Sequence, residues 1–446
     1  MKNRNLIGWF LFGLGTQLQI VASLSFTELF VFAAAPILYF NEIPYMKRNG
    51  IMPLFLLSLA VFVGCIVAIF VNHTEFIFAF RGLAVTGLLP CTVVVCHWAL
   101  RRDMSGFKWM LLGSALSSVM NIFVFQSSVE LTMYAGGEVG ASAVQGIMSG
   151  PLFWVSRIGK FITLFPRGWY MQCPTWLAAA APLFMTGFSM LTSVSGRSAA
   201  LGAMGSAALV ILGGKKRATI RRGVCLRFWI LVVIAIIGCL LAKFVYETSA
   251  EAGWLGEDAQ KKYEIQTHGD KSLKALLLGG RMESFCGLLA CFDNPIIGFG
   301  PWPVDRNGYT EEFLGKYATN EDYQKYINQQ MYYHKMGLDS SHRIPCHAHL
   351  TEFWCWYGVS GLIFWLYVIF VIIRYLKQDC WAVPQWFMWL AAASPEYLWG
   401  VFFSPWAARI TGILFIVACL MVRAVRKGAQ QLPQEMIDEI RKSEMR

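Results

Sequence analysis

The side chains best suited to chemistry gather between residues 281 and 361, where a mostly polar segment interrupts an otherwise apolar chain. Arg281 and Glu283 follow a Gly-Gly pair. Next come the turn Asp293-Asn294-Pro295-Ile-Ile-Gly298-Phe-Gly300 and the run Cys346-His347-Ala-His349-Leu-Thr-Glu352, and Gly358-Val-Ser-Gly361 ends the segment. Guanidinium groups beside imidazoles suit an anionic substrate. Arginine's planar fork grips a phosphate through two N–H groups, and a neutral imidazole accepts a proton from a hydroxyl. Two further arginines stand at the edges of apolar blocks: Arg197 in Ser195-Gly196-Arg197, and Arg81 five residues into the block 76–100.

Each residue also has a plainer use. Arg81 and Arg197 can extend toward the membrane interface from a helix end, and the small residues after Arg197 suit close helix packing. Arg281 can pair with Glu283 at little energetic gain. The turn 293–300 reads as a backbone device, because proline and two glycines punctuate a tight re-entry. His347 and His349 would share a face on a strand and suit a metal, but diverge on a helix. Cys346, His342 and His334 stand within reach in sequence, yet the helical zinc-protease signature is absent.

The elements that must position these residues are written in the composition. Of 446 residues, 56% are hydrophobic and only 15% charged, against about a quarter charged in soluble domains. Apolar blocks fall at 6–24, 29–43, 53–71, 76–100, 109–125, 176–191, 199–212, 228–246, 356–373, 384–402 and 410–422, near the ~20 residues that cross a hydrocarbon core. The first reads as an uncleaved span rather than a signal peptide.

The formal charge of +11 does not indicate a nucleic-acid partner. Between Glu247 and Arg343, acidic residues outnumber basic ones 14 to 10, so the rest of the chain carries +15. Those bases sit in short loops: Lys47-Arg48, Arg101-Arg102, Lys215 to Arg222, and Arg423 to Lys427. This is the pattern of cytoplasmic loops. Keeping Asp103–Lys108 and Lys215–Arg222 on that side requires a further crossing, best placed at 139–165.

The expected fold is therefore an all-α polytopic membrane protein of about twelve transmembrane helices. Both termini are cytoplasmic, and one large outer loop lies between spans nine and ten. The expected divisions are residues 1–246 for spans one to nine, 247–349 for the outer loop, 350–427 for the last spans, and 428–446 for a cytoplasmic tail. Most cysteines lie inside apolar spans, where they act as small hydrophobes. Cys286, Cys291 and Cys346 fall in the polar segment, where one disulfide is chemically open.

Several features recur in a fixed order: Ser-Gly-Arg197 opening a span, Gly-Arg281 in a large outer loop, Asn294-Pro295-x-x-Gly298-x-Gly300, and His347 followed eleven residues later by Gly358-x-x-Gly361. Over residues 176–374 this order resembles the O-antigen ligase and polymerase superfamily of bacterial inner membranes. The resemblance implies a GT-C-like, metal-independent inverting glycosyltransferase of lipopolysaccharide biosynthesis that needs no cofactor. Its donor would be a glycan on polyprenyl (undecaprenyl) diphosphate, and its acceptor a hydroxyl of lipid A–core at the periplasmic face. Arg197 and Arg281 would hold the diphosphate and His347 would activate the acceptor. Arg81, Glu283, His349 and Glu352 would support donor or acceptor binding.

The rivals are a polymerase of the same superfamily, a small-solute transporter, and a periplasmic zinc enzyme. Transporters usually carry internal repeats, and none is evident here.

Overall fold

The structure is a computed structural model. It describes residues 24–102, 282–312, 343–379 except His347, and 409–431, with scattered positions at 10–21, 229–252 and 394–402. These regions are mostly helical. A short antiparallel ribbon pairs β1 (Gln19–Val21) with β2 (Leu24–Ser25). The end of the expected span 6–24 is thus strand rather than helix.

Three long helices follow: α1 (Phe26–Asn49), α2 (Met52–Val71) and α3 (Phe76–Arg102). The 20 residues of α2 reach about 30 Å, the thickness of a hydrocarbon core. Pro53 stands in its first turn, where the missing N–H costs nothing. Among the described residues four helical stretches are long and apolar enough to cross a membrane: Thr27–Asn49, Met52–Val71, Phe76–Arg102 and Val359–Asp379. Phe40, Phe70 and Phe76 are each at least 75% exposed, which suits lipid contact and would be costly in water.

Later in the chain come α4 (Met282–Asp293), α5 (His349–Tyr357), α6 (Val359–Arg374) and α7 (Arg409–Gln431). α3 packs against α1, α2 and α7, while α2 receives α5 and α6. The expected span 356–373 is interrupted at Gly358. Helix begins earlier, at His349, and resumes at Val359 before a π-helical turn at Tyr375–Asp379.

The bundle has a basic end. Buried Glu42 of α1 receives Arg101 through two hydrogen bonds, of 2.7 and 3.1 Å, and lies 3.0 Å from His97 Nδ1. Asn49 contacts His97 at 3.0 Å and Met421 of α7 at 3.6 Å. Asp379, after α6, pairs with Arg426 of α7 at 3.0 Å. Lys47, Arg48, Arg101 and Arg102 belong to this end. The α2–α3 turn at Asn72–Glu75 is at the other.

The expected spans at 109–125, 139–165, 176–191 and 199–212, most of 228–246, and the tail from 432 onward lie outside the described residues.

Candidate functional site

The turn 293–300 and the glycine pair 358/361, far apart in sequence, are packing partners. Phe299 N–H donates to Cys355 O at 2.7 Å, and Gly300 N–H donates to Trp356 O at 3.0 Å. In return Val359 N–H donates to Ile296 O at 3.0 Å, and Trp354 Nε1 to Pro295 O at 3.2 Å. The extended turn therefore satisfies the carbonyls at the end of α5 and the first amide of α6, groups that a helix cannot satisfy internally.

Glycine is required at two of these positions. Gly298 has φ +78° and Gly358 φ +61°, a region favouring residues without a Cβ. A Cβ on Gly298 would lie 2.6 Å from Gly358 N, and one on Gly358 would collide with Ile296 O. Gly361, in turn, lies directly against Phe353 O of α5.

The same turn is tied to the α2–α3 connection, at the end of the bundle away from the basic cluster. Asn72 Nδ2 donates to Gly298 O at 3.0 Å and to Ala68 O at 2.8 Å, and Asn294 Nδ2 also donates to Gly298 O, at 2.7 Å. Pro301 sits against Gly82 of α3, 2.7 Å from where a Cβ would stand.

Residues 301–312 then fold back. Asp305 accepts hydrogen bonds from the Tyr309 and Thr310 amides and from the Thr310 hydroxyl, at 2.7–2.9 Å. Tyr309 donates its hydroxyl to Asp293 Oδ2 and accepts from Asn307 Nδ2, both at 2.7 Å. Burial, then the bond to Asp293, pushes its phenol up to about 12. Arg343 Nη1 donates to Trp302 O, Ile344 N–H donates to Pro303 O at 3.0 Å, and Val304 bridges to Arg343. Residues 302–304 and 343–344 are stitched together here.

Between this loop and the α2–α3 connection lies a cavity of about 230 Å³. Trp302, Phe78, Phe299 and Tyr309 supply its aromatic lining. Asn72, His73, Thr74, Glu75, Arg306, Asn307 and Arg343 supply polar groups. Arg343 Cζ lies 3.7 Å from the Phe78 ring centroid, a cation–π distance. Trp302 packs on Trp356 with ring centroids 4.6 Å apart.

The expected site residues are distributed unevenly. Arg81 is exposed and stands 5.6 Å over the Trp302 ring, beside the cavity. His349 starts α5 but is 8% exposed and packs on Trp365 at 4.9 Å. A Cβ added at Gly400 would come within 3.2 Å of its Nε2. His349 thus belongs to the packed interior and does not line the cavity. Glu352 is half-buried in the first turn of α5, and Glu283 is the second residue of α4.

Arg197, Arg281 and His347 lie outside the described residues. Neighbours of Arg281 and His347 are described: α4 begins at Met282, Ala348 is fully buried, and Cys346 Sγ lies 2.7 Å from where a Gly287 Cβ would stand. Cys286, Cys291 and Cys346 are free thiols.

Residues overlooked in the sequence are Asn72, His73, Trp302, Arg306, Asn307 and Arg343. The run Gly300-Pro301-Trp302-Pro303 directly after the glycine turn is the signal that could have drawn attention to them.

No family model matches this chain, and no curated protein or solved structure is detectably similar to it. The fold and site define a helical protein with membrane-crossing segments and an interlocked polar segment at the end away from its basic cluster.

Proposed function

We propose that this protein is a membrane-embedded glycosyltransferase of the O-antigen ligase-like kind. It moves a glycan from a polyprenyl diphosphate carrier to a hydroxyl of lipid A–core on the periplasmic side of a bacterial inner membrane. The observation that supports this reading is the interlock of Asn294-Pro295-x-x-Gly298-x-Gly300 with Gly358-x-x-Gly361. Two of the motifs that carry the resemblance in sequence are one unit in space.

The contact of Cys346 with Gly287 is also consistent with it. It brings the residue before His347 against Gly287, five residues past the start of α4 at Met282. Gathering of basic residues at one end agrees with a cytoplasmic face there, with the polar segment outside.

A sugar diphosphate is already a good leaving group. The protein's tasks are to neutralise the departing charge and to orient the nucleophile. Arg197 and Arg281, helped by Arg81, would hold the two phosphates. His347 would take the proton from the acceptor hydroxyl as that oxygen attacks the anomeric carbon and the carrier diphosphate departs, which inverts the centre. Glu283, His349 and Glu352 would act as supporting groups.

The test is purified protein with lipid-linked glycan and lipid A–core in detergent, without added divalent metal. Glycan-capped core is the expected product. Glycan lengthened on its lipid carrier would instead identify a polymerase, and unaltered donor would overturn the assignment.

A further inference from the structure

We infer that the cavity between the α2–α3 connection and residues 299–309 is a subsite for one pyranose ring.

Its size comes first. About 230 Å³ is below the ~300–1,000 Å³ of clefts that take drug-sized ligands, and suits a single ring. Its lining has two chemistries side by side. A pyranose has faces of C–H groups that rest on an aromatic surface and an equator of hydroxyls that pair with planar polar groups. The half-exposed Trp302 offers the aromatic surface. Asn72, His73, Glu75 and Asn307 offer the planar polar groups.

The lining carries Arg306, Arg343 and Glu75, and Arg81 stands beside it. Arg343 donates to Trp302 O and lies against the Phe78 ring. Guanidinium N–H groups and a carboxylate are donors and acceptors for hydroxyls.

Backbone strain marks the same place. Among the described residues, His73 (φ 49°) and Trp302 (φ 50°) are the non-glycine positions with positive φ, and both line this cavity. Such conformations are strained and cluster at ligand sites. The buried Thr74 hydroxyl also lines the cavity and has no hydrogen-bond partner among the described residues, which in a native site calls for a ligand or water.

Which glycan the ring belongs to rests on the transferase reading, but the cavity's preference for a sugar does not. Full-length protein in a nanodisc, free of sugar detergents, should transfer saturation to the ring protons of methyl glucoside or methyl N-acetylglucosaminide in an NMR difference experiment. Inorganic phosphate should bind more weakly. Trp302→Ala should weaken binding about tenfold, the scale of a lost aromatic contact. Because that change removes packing on Trp356, Arg306→Trp is the second variant: it places a bulky ring at an exposed rim position and should block binding without unfolding the protein. Phe40→Ala, on the exposed face of α1, should bind as the unaltered protein does.

Soluble lipid A–core oligosaccharide and a short-prenyl diphosphate glycan then compete separately, so that displacement assigns the ring to acceptor or donor. Displacement by neither leaves the sugar site standing and counts against transfer. Transfer that proceeds while no pyranoside binds, or while both cavity variants bind normally, overturns the subsite alone. Tighter binding of phosphate than of any pyranoside also overturns it.

Discussion

Gly298 and Gly358 meet backbone to backbone, with a Cβ on Gly298 only 2.6 Å from Gly358 N. Both have left-handed φ, and neither tolerates a side chain without separating the turn from the α5–α6 elbow. Gly298→Ala should cost about 1–3 kcal/mol through strain and overpacking. Thermal unfolding of the detergent-solubilised protein measures this. A melting temperature equal to wild type would show that the interlock does not contribute to stability.

The buried Gly298 carbonyl accepts from both Asn72 and Asn294. Either alanine substitution removes one donor and should cost about 0.5–1.5 kcal/mol. Replacing both removes the two side-chain donors, so the double variant should lose more than the sum of the singles. A double-mutant cycle reads this coupling directly, and strict additivity would contradict it.

Tyr309 supplies the pH prediction. Its phenol is raised to about 12 from an ordinary value of 10, first by burial and then by the bond to Asp293. The folded protein therefore holds this proton more tightly than the unfolded chain. The stabilisation is fully present below pH 10 and is lost as pH rises toward 12. Tyr309→Phe should lower stability by about 1 kcal/mol at neutral pH and flatten the alkaline decline. Melting temperature against pH, compared between the two proteins, checks both parts.

The catalytic proposal has its own variants. Arg281→Ala, Arg197→Ala and His347→Ala should each abolish glycan transfer while leaving membrane insertion and melting temperature near wild type. Arg281→Lys should also be poor, because an ammonium cannot reproduce the two-pronged contact. Product analysis by gel, with insertion checked by fractionation, makes the comparison. Normal capping by the alanine variants would remove these residues from the site.

Much of the membrane architecture was legible from residue order because hydropathy is local. The block expected at 53–71 is α2 at Met52–Val71, and that at 76–100 is α3 at Phe76–Arg102. The block 29–43 was drawn too short. α1 continues to Asn49 through Glu42, Lys47 and Arg48. A buried carboxylate reads as a helix end until its partners Arg101 and His97, more than fifty residues away, are seen beside it. The elbow at Gly358 was hidden for the same reason: an apolar run such as Trp356 to Ile373 does not reveal that its backbone turns to receive another loop.

Composition and charge spacing were enough to establish a chain with helices apolar enough to cross a membrane, clusters of basic residues at the ends of apolar blocks, and glycine motifs worth examining. Transfer free energies and backbone preferences act residue by residue and so are readable along the chain. That the two glycine motifs lock together, that His349 is buried against Trp365, and that Asn72, His73 and Trp302 share one cavity came only from the folded arrangement. Those relationships depend on which distant segments approach within hydrogen-bonding distance, and no local pattern encodes such pairings.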